Sequence, residues 1–152
     1  MSSLPFHGYG IGGEFGNNKK TMQEMLEVSL NELPENKPRH LLGIGHLEDI
    51  PLIVKSGVDT FDCTMPTHYA RHGVAFASTG KLDLRKAIFL KDLKALDKKC
   101  SCSTCQNYTR SYIAHLLRAK EITALKLLTI HNLFYFNTTL ENIRKDIRDG
   151  KI

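Results

Sequence analysis

With 152 residues, 41% of them apolar and 24% charged, the chain has the composition of an ordinary globular domain built on one core. No apolar run of signal-peptide type opens it, and nowhere do about eighteen apolar residues follow one another, so the sequence predicts a soluble cytoplasmic protein with no membrane partner. The formal net charge of +5 is uneven: residues 100–152 hold eight Lys/Arg against four Asp/Glu, and residues 1–99 hold thirteen against twelve, so the C-terminal third either attracts a polyanion such as nucleic acid or carries a solvated face.

In chain order, HGYGIGG (7–13) reads as a strand, and Met22, Met25, Leu26, Leu30 and Leu33 follow it at helical spacing. HLLGIG (40–45) reads as a second strand, with LEDIPLIVKSG behind it as a helix, Pro51 in its first turn and Gly57 at its C-terminal end. VDTFDCTMP (58–66) reads as a third strand. Strands alternating with helices pair in parallel through crossovers, so this stretch is α/β, either a piece of a barrel or an open sheet. A complete eight-fold barrel needs roughly 250 residues, more than this chain offers.

Residues 67–99 show no strong periodicity and read as loop, with turn signals at His72-Gly73 and Thr79-Gly80 and seven basic residues between Lys81 and Lys99. Ser103-x-x-Gln106 matches a capping box, and Tyr108, Tyr112, Leu116 and Leu117 then fall on one helical face. A second helical stretch runs from about Glu121 to Ile147 with Leu125, Leu128, Leu133, Phe136, Leu140 and Ile143 along it.

Cys100, Cys102 and Cys105 form C-x-C-x-x-C in a chain with no mark of secretion, which argues for a metal and against disulfides. Zinc takes four soft or borderline ligands in a tetrahedron, and closely spaced cysteines at a turn before a helix supply three. Cys63, His115 and His131 are the candidates for the fourth. The apolar surroundings of His131 in LLTIHNLFYF suit a neutral imidazole, so His131 is the expected ligand, while Cys63 is expected to pack as a small residue behind its strand. A Cys3His site leaves no position for water, so the zinc is expected to be structural.

Function in parallel α/β architectures gathers beyond the carboxyl ends of the strands, and here those ends carry Gly12-Gly13, Gly43-Ile44-Gly45 and Asp62. Paired glycines let backbone approach a flat ligand. A carboxylate there serves as nucleophile or base, or only caps a turn.

GYGIGG, PRHLLGIGHLEDI, GVDTFDCTMPTHYARHG, CSCSTCQNYTRSYIAHLLRAKEI and LLTIHNLFYF, in this order, resemble successive motifs of bacterial-type tRNA-guanine transglycosylases, from about Pro5 onward. The ordered set FDCTMPT, C-x-C-x-x-C and His131 is its most specific part. The resemblance implies the C-terminal portion of a TIM-like (β/α)8 barrel with a zinc-binding subdomain and C-terminal helices. Residues 1–66 would be the last βα units of a partial barrel and residues 67–152 the zinc-binding subdomain with its helices, together one structural unit.

The activity implied is exchange of guanine at the tRNA wobble position for a deazaguanine base, with Asp62 as the nucleophile of a covalent ribosyl intermediate. Gly12 and Gly13 would meet the base through backbone, and Cys100, Cys102, Cys105 and His131 would hold structural Zn2+. Two segments would contact the tRNA anticodon loop: Gly43, Ile44, Gly45, His46, Leu47, Glu48 and Asp49, then Thr67, His68, Tyr69, Ala70 and Arg71. Arg71 is the clearest phosphate contact. Where bacterial members usually read MPTR, this chain has His68, and after IGG the glycine-rich continuation is replaced by Glu14-Phe15-Gly16, where Glu14 either pairs with a cationic group on the incoming base or faces solvent. The family's N-terminal half, with a second essential Asp, is missing, so a partner that completes the barrel is expected, and homodimer formation is implied as well. The competing expectation is a non-catalytic, zinc-stabilised tRNA-binding or scaffold module.

Overall fold

A computed structural model describes residues 4–13, 15 and 18–152, so the expectation for Glu14 lies outside the described residues. Two compact units are present, the first ending at Thr64 and the second running Met65–Lys151.

The first unit contains β1 (Tyr9–Ile11), α1 (Lys19–Asn31), β2 (Arg39–Leu41), α2 (Ile50–Lys55) and β3 (Thr60–Phe61). The strands form a sheet of order β1-β2-β3, parallel throughout, with Ile11 opposite Leu41 and Leu41 opposite Phe61. Parallel neighbours require crossovers, which α1 and α2 provide. Asn18 starts α1 by accepting the Thr21 N–H at 3.0 Å, and Met22, Leu26 and Leu30, four residues apart, bury one stripe on the sheet. Met25 lies off that stripe and is exposed. Pro51 occupies the first turn of α2, where an absent N–H costs nothing, and Gly57 lies one residue past the Ser56 C-cap with φ 96°. Each wholly buried Leu or Ile of this cluster contributes about 1.5–3 kcal/mol. The three strands are shorter than their sequence patterns suggest, because the chain leaves the sheet at the glycine and aspartate positions.

The second unit contains α3 (Met65–Arg71), β4 (Val74–Ala77), β5 (Gly80–Asp83), a 3-10 helix (Ala87–Lys91), α4 (Ser103–Asn107), α5 (Arg110–Arg118) and α6 (Ile122–Arg148). Residues 67–99 are therefore not the loop that the sequence suggests. Elements of four to seven residues are too short for a period to show, yet β4 and β5 pair antiparallel around the Ser78-Thr79 turn, and Gly80 takes φ 107°.

A second correction concerns the helix expected to run from Ser103 past Leu117. Cys102, not Ser103, is the N-cap, its Sγ accepting the Cys105 N–H at 3.4 Å. Tyr108 is extended (φ −133°, ψ 144°), and Thr109 Oγ1 caps a separate helix by accepting the Tyr112 N–H at 3.2 Å. Two caps within eight residues split the helix, although Tyr108 and Tyr112 still stack at 5.5 Å.

The 27 residues of α6 span about 40 Å and bury Ala124, Leu127, Leu128, His131, Asn132 and Phe136 along one stripe. Ala70, Ala75, Leu84, Leu96 and Ile113 complete the core of this unit. Among the described residues no helix is long and apolar enough to cross a membrane.

Candidate functional site

Because β1, β2 and β3 run in parallel and end in register, Gly12-Gly13, the segment from Gly43 and Asp62 all leave the same edge of the sheet. Asp62 presents a carboxylate that is 61% exposed. Its Oδ1 accepts the Gly43 N–H at 3.1 Å and lies 3.3 Å from His40 Nε2, while its own N–H donates to Leu41 O at 3.3 Å. The side chain therefore receives donors from β2 and the loop after it.

The two glycines of the second motif serve different purposes. Gly43 has φ 70°, and a Cβ there would meet nothing within 4 Å, so glycine supplies the left-handed backbone that turns its N–H toward Asp62. A Cβ on Gly45 would stand 2.6 Å from Cys63 Sγ, so there glycine makes room. Cys63 donates to Gly45 O at 3.5 Å, consistent with a packing role behind its strand. Gly13, at φ 129°, is exposed with open space where a side chain would stand, and Gly12 lies against Leu42.

The two segments expected to meet RNA are built differently. In the first, Asp49 stands at the N-cap of α2 and is tied to Lys19 Nζ at 2.9 Å, and Gly43, His46 and Glu48 are the exposed members. In the second, α3 turns His68 and Arg71 outward. Ala70 is wholly buried, so packing and not contact with a partner accounts for it. Arg71 Nη1 donates to Thr67 Oγ1 at 3.4 Å, and Lys81 donates to the Tyr69 hydroxyl at 3.2 Å. His72 Nδ1 donates to His68 O at 2.8 Å, placing the two rings 4.4 Å apart.

Cys100, Cys102, Cys105 and His131 converge so that their ligand atoms lie within 4.8 Å of one another. His131 Nδ1 is 3.7, 3.4 and 3.3 Å from the three sulfurs in that order. With Zn–S of about 2.3 Å and Zn–N of about 2.0 Å, a tetrahedron has S···N edges of roughly 3.5 Å, which the three S···N distances match. His131 Nε2 donates to Phe76 O at 2.6 Å, which assigns the proton to Nε2 and leaves the Nδ1 lone pair for a cation. Burial holds the His131 pKa below its ordinary value, keeping the ring neutral as a ligand must be. Burial also pushes the Cys100 thiol up and the Cys105 thiol up to about 12, so a cation is needed to make these sulfurs thiolates. His115 is exposed on α5, and neither it nor Cys63 belongs to the cluster.

Two residues not singled out from the sequence are central to these sites. His40 contacts Asp62, a relation that becomes visible only when β2 and β3 are put in register. Asn132 is wholly buried beside His131; its Oδ1 accepts the Phe76 N–H at 3.0 Å and its Nδ2 donates to Pro66 O at 3.0 Å and Val74 O at 2.9 Å. Its place between Leu128 and Phe136 at four-residue steps was the available signal.

The family model described as queuine tRNA-ribosyltransferase matches residues 1–152. The queuine tRNA-ribosyltransferase of Moorella thermoacetica is 46% identical over 153 residues, covering 100% of this chain and 41% of the relative. That of Halothermothrix orenii is also 46% identical over 153 residues with the same coverage, and that of Buchnera aphidicola is 45% identical over 152 residues, covering 99% of this chain and 41% of the relative. The chain thus spans about 41% of the length of these relatives. A match along the whole chain, together with the Cys3His cluster and the strand-end carboxylate, places this protein in the queuine tRNA-ribosyltransferase family.

Proposed function

We propose that this chain is the C-terminal part of a tRNA-guanine transglycosylase, which exchanges guanine at the tRNA wobble position for a deazaguanine base. The observation that carries the reading is Asp62 at the carboxyl edge of a parallel sheet, exposed and held by the Gly43 N–H. An Asp62 carboxylate oxygen attacks the ribose anomeric carbon as the C–N bond to guanine breaks, and guanine departs with the electron pair and collects a proton. The ester so formed keeps the ribose on the protein until a deazaguanine ring nitrogen, giving up its proton to the group that had protonated guanine, attacks the same carbon and expels the carboxylate. Two displacements retain configuration, the logic of retaining glycosidases with a heterocycle in place of water.

Gly12 and Gly13 approach the base through backbone. Gly43, His46, Glu48, His68 and Arg71 are the exposed residues that meet the anticodon loop, Arg71 at a phosphate. His68, where bacterial members usually carry arginine, makes that contact without a fixed charge. Cys100, Cys102, Cys105 and His131 hold zinc in a structural role, because four protein ligands leave no open position. The βα units of residues 4–64 are the last units of a TIM-like barrel whose earlier strands, and the acid that protonates guanine, come from the N-terminal portion present in the longer relatives. Assembly as a homodimer agrees with the family.

Incorporation of labelled guanine into tRNA, by this chain alone and after mixing with a separately expressed N-terminal part, tests the proposal. Exchange in the mixture, lost with Asp62→Ala, supports it. No exchange despite a folded complex between the parts would favour a binding module.

A further inference from the structure

His40 stands on β2 directly opposite Thr60 of β3. Side chains two apart on a strand rise from the same face, so Thr60 and Asp62 both flank the His40 ring. That ring bridges them, with Nδ1 2.8 Å from Thr60 Oγ1 and Nε2 3.3 Å from Asp62 Oδ1. An ionised carboxylate can only accept, so Nε2 carries the proton, and Nδ1 is left to accept from the Thr60 hydroxyl. The donors therefore run in one direction, from Thr60 to His40 to Asp62.

The Gly43 N–H ends on the same oxygen at 3.1 Å. Among the described residues, both hydrogen bonds to the Asp62 side chain fall on Oδ1. Two donors from different directions fix the rotation of the carboxyl group, leaving Oδ2 with its lone pairs facing away from them. An exposed aspartate would otherwise sample several rotamers, only some of which suit attack.

We propose that His40 is the positioning residue of Asp62: backed by Thr60, it pins Oδ1 and makes Oδ2 the atom that bonds to the anomeric carbon. This rests on the reading of Asp62 as nucleophile. The same two donors stabilise the carboxylate when it is expelled in the second displacement.

Two measurements test this separately from the exchange activity and through it. In long-range proton–nitrogen NMR spectra of the chain, His40 is expected as the Nε2–H tautomer. Asp62→Ala should abolish that preference and shift the Gly43 amide proton. A His40 protonated on Nδ1, or spectra indifferent to Asp62→Ala, would overturn the pairing.

With the N-terminal part present, His40→Ala is expected to lower kcat about a hundredfold, with KM for tRNA unchanged. His40→Gln, which restores an N–H donor at a similar reach, should recover at least tenfold of that loss, about 1.4 kcal/mol. An unchanged kcat in His40→Ala would overturn the positioning role. Equal losses in His40→Ala and His40→Gln would do so too, pointing to a defect of folding instead. An inactive parent with the NMR signature intact would refute the exchange reading while upholding the hold of His40 on Asp62.

Discussion

His131 and Phe76 are joined by a 2.6 Å hydrogen bond from the imidazole Nε2 to the backbone carbonyl, and the opposite ring nitrogen faces three sulfurs. One contact thus sets the tautomer of the ring and links the Cys3His cluster to β4. Phe76 sits on a short strand, so the metal and the β4–β5 hairpin should share their stability.

Removal of metal is accordingly expected to melt more than the loop at residues 100–105. The purified chain should carry one zinc per molecule by elemental mass spectrometry, and Cys102→Ala or a strong chelator should remove it and lower the melting temperature by many degrees. A metal-free chain with an unchanged melting curve would contradict a structural zinc.

Asn132, wholly buried, satisfies one N–H and two carbonyl groups. Asn132→Leu keeps the volume and leaves all three partners orphaned, so a loss on the order of 3 kcal/mol is expected by urea unfolding. A loss below about 1 kcal/mol would show that these groups find other partners.

Gly45 and Cys63 form a tight pair in the first unit. An alanine Cβ at position 45 would lie 2.6 Å from Cys63 Sγ and 2.8 Å from Cys63 Cβ. Gly45→Ala should therefore destabilise by about 1–3 kcal/mol. Adding Cys63→Ala removes only the sulfur and should restore part of the loss, whereas Cys63→Gly should restore more. Full restoration by Cys63→Ala would show that the sulfur alone is the obstacle.

The alternation of β1, α1, β2, α2 and β3 was legible because each unit repeats one simple pattern, an apolar run followed by an amphipathic stripe such as Met22, Leu26 and Leu30. The fourth member of the Cys3His cluster was legible because His131 interrupts an apolar segment near an incomplete set of thiolates. The hairpin Val74–Asp83 and the helix Met65–Arg71 were not, since four to seven residues carry no readable period. The break at Tyr108 escaped because Cys102 and Thr109 compete as caps in a segment whose apolar spacing reads as continuous. His40 and Asn132 matter through partners 22 and 56 residues away, and such relations exist only after folding.

Asp97 is buried, and burial alone would raise its pKa, but N–H groups of Lys99 and Ser78 and the Ser78 hydroxyl hold the carboxyl below its ordinary value. A carboxyl depressed in the folded state binds its proton less readily there than in the unfolded chain. Its contribution is thus present above the ordinary carboxylate pKa and is lost as pH falls through the lower folded value. Stability at saturating zinc should decline on acidification in that window, and less steeply in Asp97→Asn. Parallel pH profiles of the two proteins would contradict the assignment. Because metal binding displaces protons from Cys100 and Cys105, acid should also release zinc, which a metal-sensitive dye detects separately.

The most direct test of Asp62 as the nucleophile is to trap the ribosyl intermediate. The chain and the N-terminal part are incubated with tRNA, quenched in denaturant without an incoming base, and digested for mass spectrometry. A ribonucleotide mass addition on the peptide containing Asp62, absent in Asp62→Asn, is the expected result. An adduct on any other residue, or full base exchange by Asp62→Asn, would contradict it.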